Sequence, residues 1–441
     1  MRTILHCDLN NFYASVECVL NPMLRDKYVA VCGDKQLRHG IVLAKNNKAK
    51  ACGVKTGDVI WEAKQKCPEL VCVAPHYEIY MKYSQKAREI YYRYTDKVET
   101  FGMDECWLDV TQSMFLGNGE KIANDIRRVI REETGLTVSV GVSFNKIFAK
   151  LGSDMKKPDA TTIINFENFK EKVWNLAVSD LLMVGSSTTK RLKLLNINTI
   201  GELAVADSDV LRYNFGINGL MLKKYALGLD DSLVSAANSF KEIKSVGQGS
   251  TPVYDMDTYE SAEKLIMFLS ELIGRRLRRY GLVGQSAHIG LRYNNLSGIS
   301  RQKQICPTFV ADDMYREFDD LLHKSWNPKT DLPLRTITIS VGHLSEYAKG
   351  IQLSLFDCKK IDIKDKYCLK GKIISNLSNI GEILKKKEDL QFTVDKIREK
   401  YGFSSVLRGA NIENSTIYGS QQPDDQLLPF RNEGIKIKEP F

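Results

Sequence analysis

The sequence predicts an α+β protein with several domains, and three observations support this prediction. At 441 residues the chain exceeds the roughly 250–300 residues at which a single hydrophobic core stops growing. Strand-like and helix-like segments are mixed in the first part of the chain, in an order that indicates a sheet domain with an insertion near residues 19–74. From about residue 170 the pattern changes to short helices, and a second α/β segment follows.

The first part of the chain contains segments with clear boundaries. "RTILHCDLNN" predicts a short strand over Thr3 to Cys7 that ends in a polar turn, and "FYASVECVLNP" predicts a helix that stops at Asn21-Pro22. Two strand-like segments, "KYVAVCGD" and "GIVLAKN", precede a long amphipathic helix in "YEIYMKYSQKAREIYYRYT". "KVETFGMDECWLDVT" then predicts two strands around a bend at Gly102. A helix in "GEKIANDIRRVIREETG" and a strand in "LTVSVGVSF" complete this part.

The later segments predict a helical part, a second sheet and a tail. The short helices include a hairpin, "LMVGSSTTKRLKLLNINTIGEL", with a Gly-Ser-Ser turn at Gly185, and the polar run 233–244 is predicted to be a linker. A helix over 258–280 and strands in "SAHIGLRY", "QKQICPTF" and "RTITISVGHL" indicate another α/β domain. In the tail we expect two helices, at roughly 366–387 and 393–401.

The composition is that of a protein with ordinary hydrophobic cores, since 43% of the residues are hydrophobic. No apolar stretch is long enough to span a bilayer and the N-terminus lacks the features of a signal peptide, so we expect no membrane partner and a cytoplasmic location. The ten cysteines have no paired C-x-x-C spacing, which predicts free thiols rather than disulfides or a structural zinc site. The formal charge of +9 suits a polyanionic partner.

Asp104 and Glu105 stand side by side in "FGMDECWLDV", a run that otherwise has the pattern of a buried strand. Strand periodicity places Asp104 on the same face as an apolar row, where an unpaired carboxylate costs several kcal/mol. Asp8, at the end of the first predicted strand, supplies a third carboxylate. Three such groups can bind two Mg²⁺ ions about 3.5–4 Å apart for in-line phosphoryl or nucleotidyl transfer. The alternative is that the acids only cap turns, with Asp8 capping the next helix; from the residues alone both stay open.

Basic residues cluster at places where phosphate can bind. Residues 34–66 carry lysines beside a Gly turn, and Lys156 and Lys157 follow the predicted helix of "SFNKIFAKLGSDM". Each cluster can bind a polyanion, and each can equally be a solvated charged face. A further cluster, "GRRLRRYG", places four arginines on one helix: Arg275, Arg276, Arg278 and Arg279.

A short apolar peptide, "QLSLFD" at 352–357, stands in the tail. In a core strand such a peptide would be ordinary. In a polar tail it is a candidate docking peptide, with Leu355 and Phe356 as anchors for a pocket on a partner.

Taken together and in this order, the segments resemble the Y-family translesion DNA polymerases, the DinB/UmuC group. "LHCDLNNFYASVE" resembles the opening strand and helix of the family, "GMDECWLDV" its second acidic motif, and "NKIFAKLGSDMKKPD" its lysine-containing helix. "VGSSTTKRLKLLNINTIGEL" is similar to the helix-hairpin-helix of the thumb, "IKSVGQGST" to the entry of the little finger, and "QLSLF" to the peptide that binds the bacterial sliding clamp. The resemblance covers roughly residues 1–357.

The resemblance implies a right-hand polymerase with a palm, small fingers, a helical thumb and an α/β little finger. It implies an Mg²⁺-dependent, DNA-directed DNA polymerase that performs low-fidelity translesion synthesis as a monomer, on primer-template DNA and with deoxynucleoside triphosphates. The expected boundaries are 1–10 and 75–165 for the palm, 11–74 for the fingers, 166–232 for the thumb, 233–244 for a linker, 245–345 for the little finger, and 346–441 for a tail that contains the clamp-binding peptide 352–356.

The resemblance also gives roles to individual residues. It makes Asp8, Asp104 and Glu105 ligands of two Mg²⁺ ions, with the Leu9 carbonyl as a further ligand, and it makes Tyr13 the steric gate that excludes a 2′-hydroxyl. The residues expected to contact the nucleotide are Asn11, Phe12, Tyr13, Asn47, Lys50 and Lys157. Those expected to contact DNA are Gly185, Ser187, Arg275, Arg276, Arg278 and Arg279. Those expected to contact the clamp are Gln352, Leu353, Leu355 and Phe356.

The sequence departs from the family in its nucleotide-binding region. A Thr-x-x-Tyr-x-x-Arg pattern is common there, and this chain has Ala44, Asn47 and Lys50. Lys50 keeps the charge but lacks the bidentate fork of Arg, so we expect weaker or altered nucleotide binding. The variations are similar to the UvrX-type bacterial branch. Two alternatives are a catalytically weak or inactive homologue that binds DNA and the clamp, and a two-metal nuclease or nucleotidyl cyclase.

Overall fold

In the computed structural model of the protein, four ranges are described: residues 2–34, 40–236, 242–347 and 377–409. The described residues up to 236 form one compact unit, and those from 242 onward form a second. Within these ranges, no helix combines the length and the apolar character that a membrane crossing requires. All eight cysteines in the described ranges are free thiols, as predicted.

A five-stranded sheet is the centre of the first unit. Its strands β1 and β5 to β8 are arranged in the order β5-β6-β1-β7-β8, and only β7 and β8 run parallel. Strand β1 pairs on both sides and is buried throughout. It ends at Leu9 rather than at Cys7 as predicted, because Asp8 and Leu9 still pair with β7. The strands are β1 Ile4–Leu9, β5 Val98–Thr100, β6 Glu105–Asp109, β7 Val138–Ser143 and β8 Thr161–Ile164.

Four helices cover this sheet. Side chains of α1, α4 and α5 pack with Leu5, Cys7 and Leu9 on one face, and α6 contacts β1 and β7 on the other face, where His6 bonds to Ser153. As predicted, α1 stops at the Asn21-Pro22 boundary, since proline cannot continue a helix. The helices are α1 Phe12–Leu20, α4 Tyr77–Tyr91, α5 Gly119–Thr134 and α6 Lys146–Met155.

Helix α6 approaches β7 closely because Gly141 has no side chain. A Cβ atom on Gly141 would lie 1.9 Å from the Ala149 carbonyl oxygen and 2.5 Å from the Ser153 amide nitrogen. Such distances are far shorter than van der Waals contact, so only glycine allows this approach. The close packing holds the middle of α6 directly over β1 and β7.

A small sheet and a group of short helices complete the first unit. The small sheet has the order β3-β2-β4, with β2 Val29–Cys32, β3 Val42–Lys45 and β4 Val71–Val73, and it carries α2 Asn47–Ala51 and α3 Ile60–Lys66. The short helices share a separate core. They are α7 Phe169–Val173, α8 Ser186–Leu194, α9 Ile200–Val205, α10 Ser208–Phe215 and α11 Ile217–Ala226.

The predicted helical hairpin differs from the structure in the place of its turn. Gly185 is the N-cap of α8, and Ser187 is already helical, so the Gly-Ser-Ser segment begins α8 instead of joining two α-helices. Only a single 3₁₀ turn, Val178–Asp180, precedes it. The connection between α8 and α9 ends at Thr199, whose hydroxyl and the Glu202 carboxylate form a capping box that fixes the start of α9.

The second unit is an antiparallel sheet, in the order β11-β10-β12-β9, with two long helices packed on it. The sequence did not predict the glycine-containing strand "SVGQGS" or the helix at 311–325. The elements are β9 Ser245–Ser250, α12 Tyr259–Arg279, β10 Leu282–Tyr293, β11 Gly298–Thr308, α13 Ala311–Ser325, β12 Leu334–Gly342 and a short β13 Ser345–Glu346 that pairs with β10.

In the described part of the tail, α14 Leu377–Tyr401 is continuous across the point where the sequence predicted a break between two helices. The predicted break at 388–392 is helical because "EDLQF" contains neither glycine nor proline. The predicted start at 366 lies outside the described residues. The helix packs on α12 through Phe392, which joins the core of the second unit, and through an ion pair between Arg278 and Asp395, with N···O distances of 2.6 and 3.0 Å.

The arginines of α12 are less exposed than the sequence pattern indicated. Arg276 and Arg278 are buried, at 5% and 8% exposure, and they bond inward: Arg276 donates to the Gly247 carbonyl, and Arg278 to the Phe309 carbonyl and to Asp395. Their predicted DNA-binding role stays a prediction. Arg275 and Arg279 are half-buried, so the sequence pattern overstated the charge on this surface.

Candidate active site

Three carboxylates meet where β1 pairs with β6. Asp8 and Glu105 lie directly opposite each other in the strand register, and the Asp104 carbonyl accepts a hydrogen bond of 3.0 Å from the Leu9 amide. The structure thus brings together all four residues predicted to bind metal. Asp104 lies one residue before β6, in the bend, rather than on the apolar face of the strand as the periodicity had suggested.

Turn capping does not account for Asp8. It lies inside β1 with 5% exposure, two residues before the chain leaves the strand. The N-cap of α1 is Asn11, in a left-handed conformation with φ of 50° and without a side-chain cap. The structure therefore places Asp8 in the sheet, where its carboxylate needs a cationic partner.

Two lysines supply that positive charge. The Lys150 ammonium nitrogen lies 3.2 Å from Asp8 Oδ2 and 3.0 Å from Glu105 Oε1, and the Lys157 nitrogen lies 2.8 Å from the same Asp8 oxygen. Asp154, one turn after Lys150 on α6, accepts from both lysines. Lys157 was a predicted nucleotide contact. Lys150, on α6, was not among the predicted site residues.

His6 is a further residue that the sequence interpretation missed. Its ring is buried beneath the carboxylates, with Nδ1 at 2.8 Å from the Ser153 hydroxyl and Nε2 at 3.5 Å from Glu105 Oε2. Burial is the main cause that lowers the pKa of His6 below its usual range. The strand period of two places His6 and Asp8 on the same face, and this signal was available in the sequence.

The two adjacent acids differ in their proton affinity. Burial, with the charges of Asp8 and Glu105, raises the pKa of Asp104 to about 7. Burial acts in the same direction on Glu105, but His6 and Lys150 outweigh it and lower its pKa to about 2. At neutral pH Glu105 is therefore charged, while Asp104 still holds a proton on a large fraction of molecules.

The donor set fits a divalent cation. Mg²⁺ prefers oxygen ligands, and carboxylates supply the negative charge that offsets its own. Glu105 Oε2 is buried without a hydrogen bond of ordinary geometry in the described part of the chain, so it has a free lone pair. The Lys150 ammonium, which lies between Asp8 and Glu105, shows that a cation is stable at this position.

Aromatic rings stand beside the carboxylates. The Tyr13 ring stacks on Tyr80 at 4.4 Å between centroids and 12° between planes, and meets Tyr77 edge-on at 6.0 Å. Phe12 is buried next to it. The Tyr13 hydroxyl donates to Met103 Sδ at 3.0 Å. Burial, Tyr77 and the Asp104 charge raise the pKa of Tyr13 to about 12, so the phenol stays neutral close to the acids.

The remaining predicted nucleotide contacts lie on the small sheet. Asn47, at the start of α2, accepts a hydrogen bond of 2.9 Å from Asn11, which connects this helix to the start of α1. Lys50 is exposed on the same helix. Lys48, also on α2, donates a hydrogen bond of 2.8 Å to the Asp26 carbonyl. Asn11, Asn47 and Lys50 therefore share one region of the unit.

The predicted DNA and clamp contacts lie elsewhere in the chain. Gly185 and Ser187 stand at the N-terminus of α8, where Ser187 is exposed. The four arginines of α12 belong to the second unit. The predicted clamp-binding residues, 352–356, lie outside the described residues.

The chain matches models of one protein family over most of its length. The impB/mucB/samB family model matches residues 7–154, and the model of the C-terminal domain of that family matches residues 243–355. The first match covers the carboxylate motifs and α6, and the second covers the sheet of the second unit.

Curated relatives and a solved structure agree with these matches. The chain is 46% identical over 415 residues to a DNA polymerase IV of Acetivibrio thermocellus, a match that covers 94% of this chain and 98% of the relative. It is 34% identical over 414 residues to DNA polymerase IV 1 of Bacillus subtilis, covering 93% and 94%. A solved Y-family DNA polymerase chimera superposes with a TM-score of 0.69 at 25% identity, covering 77% of this chain and 98% of that one.

The architecture is consistent with the palm, fingers, thumb and little finger of a right-hand polymerase. Placement in the UvrX-type branch stays a prediction. The family itself follows from the matches along both units: the chain belongs to the Y-family DNA polymerases of the DinB type.

Proposed function

We propose that this Y-family DNA polymerase extends primers past damaged template positions by two-metal nucleotidyl transfer. The observation that carries the proposal is the convergence of Asp8, Asp104 and Glu105 at the pairing of β1 with β6, with two lysine ammonium groups beside them. Two bound Mg²⁺ ions would lower the pKa of the attacking 3′-hydroxyl and stabilise the charge on the triphosphate and the departing pyrophosphate.

The residues of the chain have complementary tasks in this step. The three carboxylates hold the ions, with the Leu9 carbonyl as an additional oxygen ligand. With a divalent cation held by Asp8 and Glu105, Lys150 and Lys157 would be free to contact triphosphate oxygens. Burial lowers the pKa of both lysines, but the surrounding acids outweigh it and raise both values above the ordinary range. Both groups therefore stay positively charged at neutral pH.

Selection of the nucleotide is proposed to occur at the aromatic cluster. Tyr13 closes the sugar site against a 2′-hydroxyl, and Phe12 supports it from the core. The residues Asn11 and Asn47, which are bonded to each other, and Lys50 contact the triphosphate side. Because Asn47 and Lys50 stand where the family commonly has Tyr and Arg, we expect weaker nucleotide binding than in relatives that keep the pattern.

Tolerance of lesions and attachment to DNA are proposed from the other parts of the chain. In the described part of the chain, the small sheet has three strands and carries two short helices, α2 and α3. Fingers built on so small a sheet leave little surface to test the shape of a base pair. The amides at the start of α8, near Gly185 and Ser187, can bind a DNA phosphate. The peptide 352–356 would tether the enzyme to the sliding clamp and raise its effective concentration at the primer end. We expect a cytoplasmic monomer.

Primer extension on damaged and undamaged templates, with and without the clamp, tests this proposal. Asp104→Asn and Glu105→Gln should each lower extension at least about a hundredfold, while Asp125→Asn, on the surface of α5, should leave it unchanged. Deletion of 352–356 should remove only the stimulation by the clamp. Extension by Asp104→Asn at the rate of the unsubstituted protein would rule out the metal assignment.

The second candidate is a homologue that binds DNA and the clamp without polymerising. The observation in its favour is the altered nucleotide region, where Asn47 bonds to Asn11. DNA binding without any extension by the unsubstituted protein would support this candidate, and degradation of the DNA would instead indicate a nuclease.

A further inference from the structure

A buried acid lies one helical turn after Tyr13 on α1. The Glu17 side chain is 5% exposed, and a carboxylate in such a place needs strong partners. Its Oε1 atom accepts a hydrogen bond of 2.5 Å from the Tyr80 hydroxyl and lies 2.8 Å from Nδ1 of His76. Both partners come from α4 or its N-cap, so Glu17 connects α1 to α4.

Tyr80 connects this acid to the proposed steric gate. Its side chain is fully buried, its hydroxyl is held by Glu17, and its ring stacks on Tyr13 at 4.4 Å and 12°. Tyr77 meets both rings edge-on, each at 6.0 Å. Burial and the Glu17 charge raise the pKa of Tyr80 above its ordinary range, so the hydroxyl remains a donor to the carboxylate.

The hydrogen bond from Tyr80 to Glu17 restricts a rotation of the Tyr80 ring that packing alone does not fix. A tyrosine ring turns about the bond to its Cβ through a broad energy well, and a charge-assisted hydrogen bond at the far end of the ring restricts that motion. Because Tyr13 lies flat on Tyr80, a tilt of the Tyr80 ring changes the support behind Tyr13. The Tyr13 ring excludes a 2′-hydroxyl only if its position is fixed. Displacements of about 1 Å at such a site can change reaction rates about a hundredfold.

We infer that Glu17 is a positioning residue for sugar selection: it holds Tyr80, and Tyr80 holds the Tyr13 ring against a ribonucleotide. Glu17 does not contact the nucleotide itself in this arrangement. The inference rests on the proposed function, in which Tyr13 is the gate.

The alternative is that Glu17 only joins α1 to α4. The structure offers a matched control for that possibility. Tyr94, just after α4, donates a hydrogen bond of 2.6 Å to Asp125 on α5. Like the Tyr80–Glu17 bond, it joins a tyrosine hydroxyl to a carboxylate and connects the α4 region to a neighbouring helix. Among the described ring contacts, Tyr94 has none with Tyr13. If helix connection alone matters, both pairs should affect thermal stability and neither should affect the choice of sugar.

The test measures kcat/KM for a deoxynucleotide and for the matching ribonucleotide on one primer-template, together with thermal unfolding. Glu17→Gln keeps the shape and removes the charge, and Tyr80→Phe keeps the ring and removes the donor. Each should lower the deoxy-to-ribo ratio by about tenfold, through faster ribonucleotide use. The double variant should lower it no further, because both changes break one connection.

The control variants Asp125→Asn and Tyr94→Phe should keep the ratio of the unsubstituted protein. An unchanged ratio in Tyr80→Phe, with lowered thermal stability, would overturn the inference even if Glu17→Gln failed to fold. Tyr13→Ala tests the steric gate itself. If it does not raise ribonucleotide use, the gate itself is wrong and the inference fails with it; if the unsubstituted protein extends no primer, the proposed function fails.

Discussion

Asp8 and Glu105 lie directly opposite each other on paired strands, and the Lys150 ammonium lies within 3.2 Å of an oxygen of each. Two carboxylates in this position repel each other, and the repulsion grows in the partly desolvated interior of the sheet. Lys150 offsets that repulsion while no divalent cation is bound. A bound divalent cation would take over this role from Lys150.

Lys150→Gln should destabilise the metal-free protein and do so much less when Mg²⁺ is present. Without the ammonium the two acids lose their shared partner, at a cost of about 2 kcal/mol for a pair that is partly exposed. Bound Mg²⁺ would restore the missing charge. Thermal unfolding with and without Mg²⁺ measures both effects. Lys146→Gln, one turn earlier on α6 and paired with Glu99 at 2.8 Å, is the control, since its effect should be independent of Mg²⁺.

Mg²⁺ should bind more weakly at low pH because Asp104 must lose a proton first. Its pKa is raised to about 7, so the metal-free folded protein retains a proton that the unfolded chain releases near pH 4. Stability without metal therefore falls as the pH rises from about 4 to 7, and Mg²⁺ affinity should rise about tenfold from pH 6 to pH 8. Glu105 is charged throughout this range, its pKa being about 2.

Isothermal titration of Mg²⁺ at several pH values measures this dependence. Asp104→Asn should bind Mg²⁺ weakly and without the pH dependence. A dependence that persists in Asp104→Asn would assign the proton to another group, and its absence in the unsubstituted protein would contradict the raised pKa.

The sequence allowed prediction of the acids but not of their partners. Asp104 and Glu105 could be found because charges interrupt a strand pattern, and Asp8 because it ends another such pattern. Lys150 could not be found, since periodicity shows which residues share a face of α6 but not which sheet that face covers. Gly141 allows α6 to pack closely on the sheet, but nothing in "VSVGVSF" distinguishes this glycine.

The second unit shows the same limit. The long helix α12 was predicted correctly from its apolar spacing. The burial of its arginines was not, because their partners lie far along the chain: Asp395 pairs with Arg278 across 117 residues. Short-range patterns contain no information on such pairs. Strand β9 contains two glycines and only one of the β-branched residues that mark a strand, Val246.

Gly141→Ala should lower the stability of the first unit by about 3 kcal/mol. The added Cβ would lie 1.9 Å from the Ala149 carbonyl oxygen, and a helix backbone cannot yield locally. The shift of α6 would also move Lys150, so extension activity should fall. Thermal unfolding and primer extension measure the two effects. Gly290→Ala, whose Cβ would meet its nearest neighbour at 3.8 Å, is the control, and an equal effect of both would contradict the steric argument.

Asp395→Asn should destabilise the second unit because it leaves Arg278 buried without its carboxylate. The Arg278 side chain is 3% exposed, and the loss of one partner of such a pair costs about 3 kcal/mol. Replacing both partners by apolar residues, Arg278→Met with Asp395→Leu, should cost less than the single change, since no charge is then left buried. Thermal unfolding measures the difference, with Lys387→Gln as the control for a more exposed pair at 3.6 Å. If Asp395→Asn unfolds like the unsubstituted protein, this ion pair does not hold α14, and its other contacts, such as Phe392 in the core and the buried Arg398–Glu271 pair, must anchor the helix.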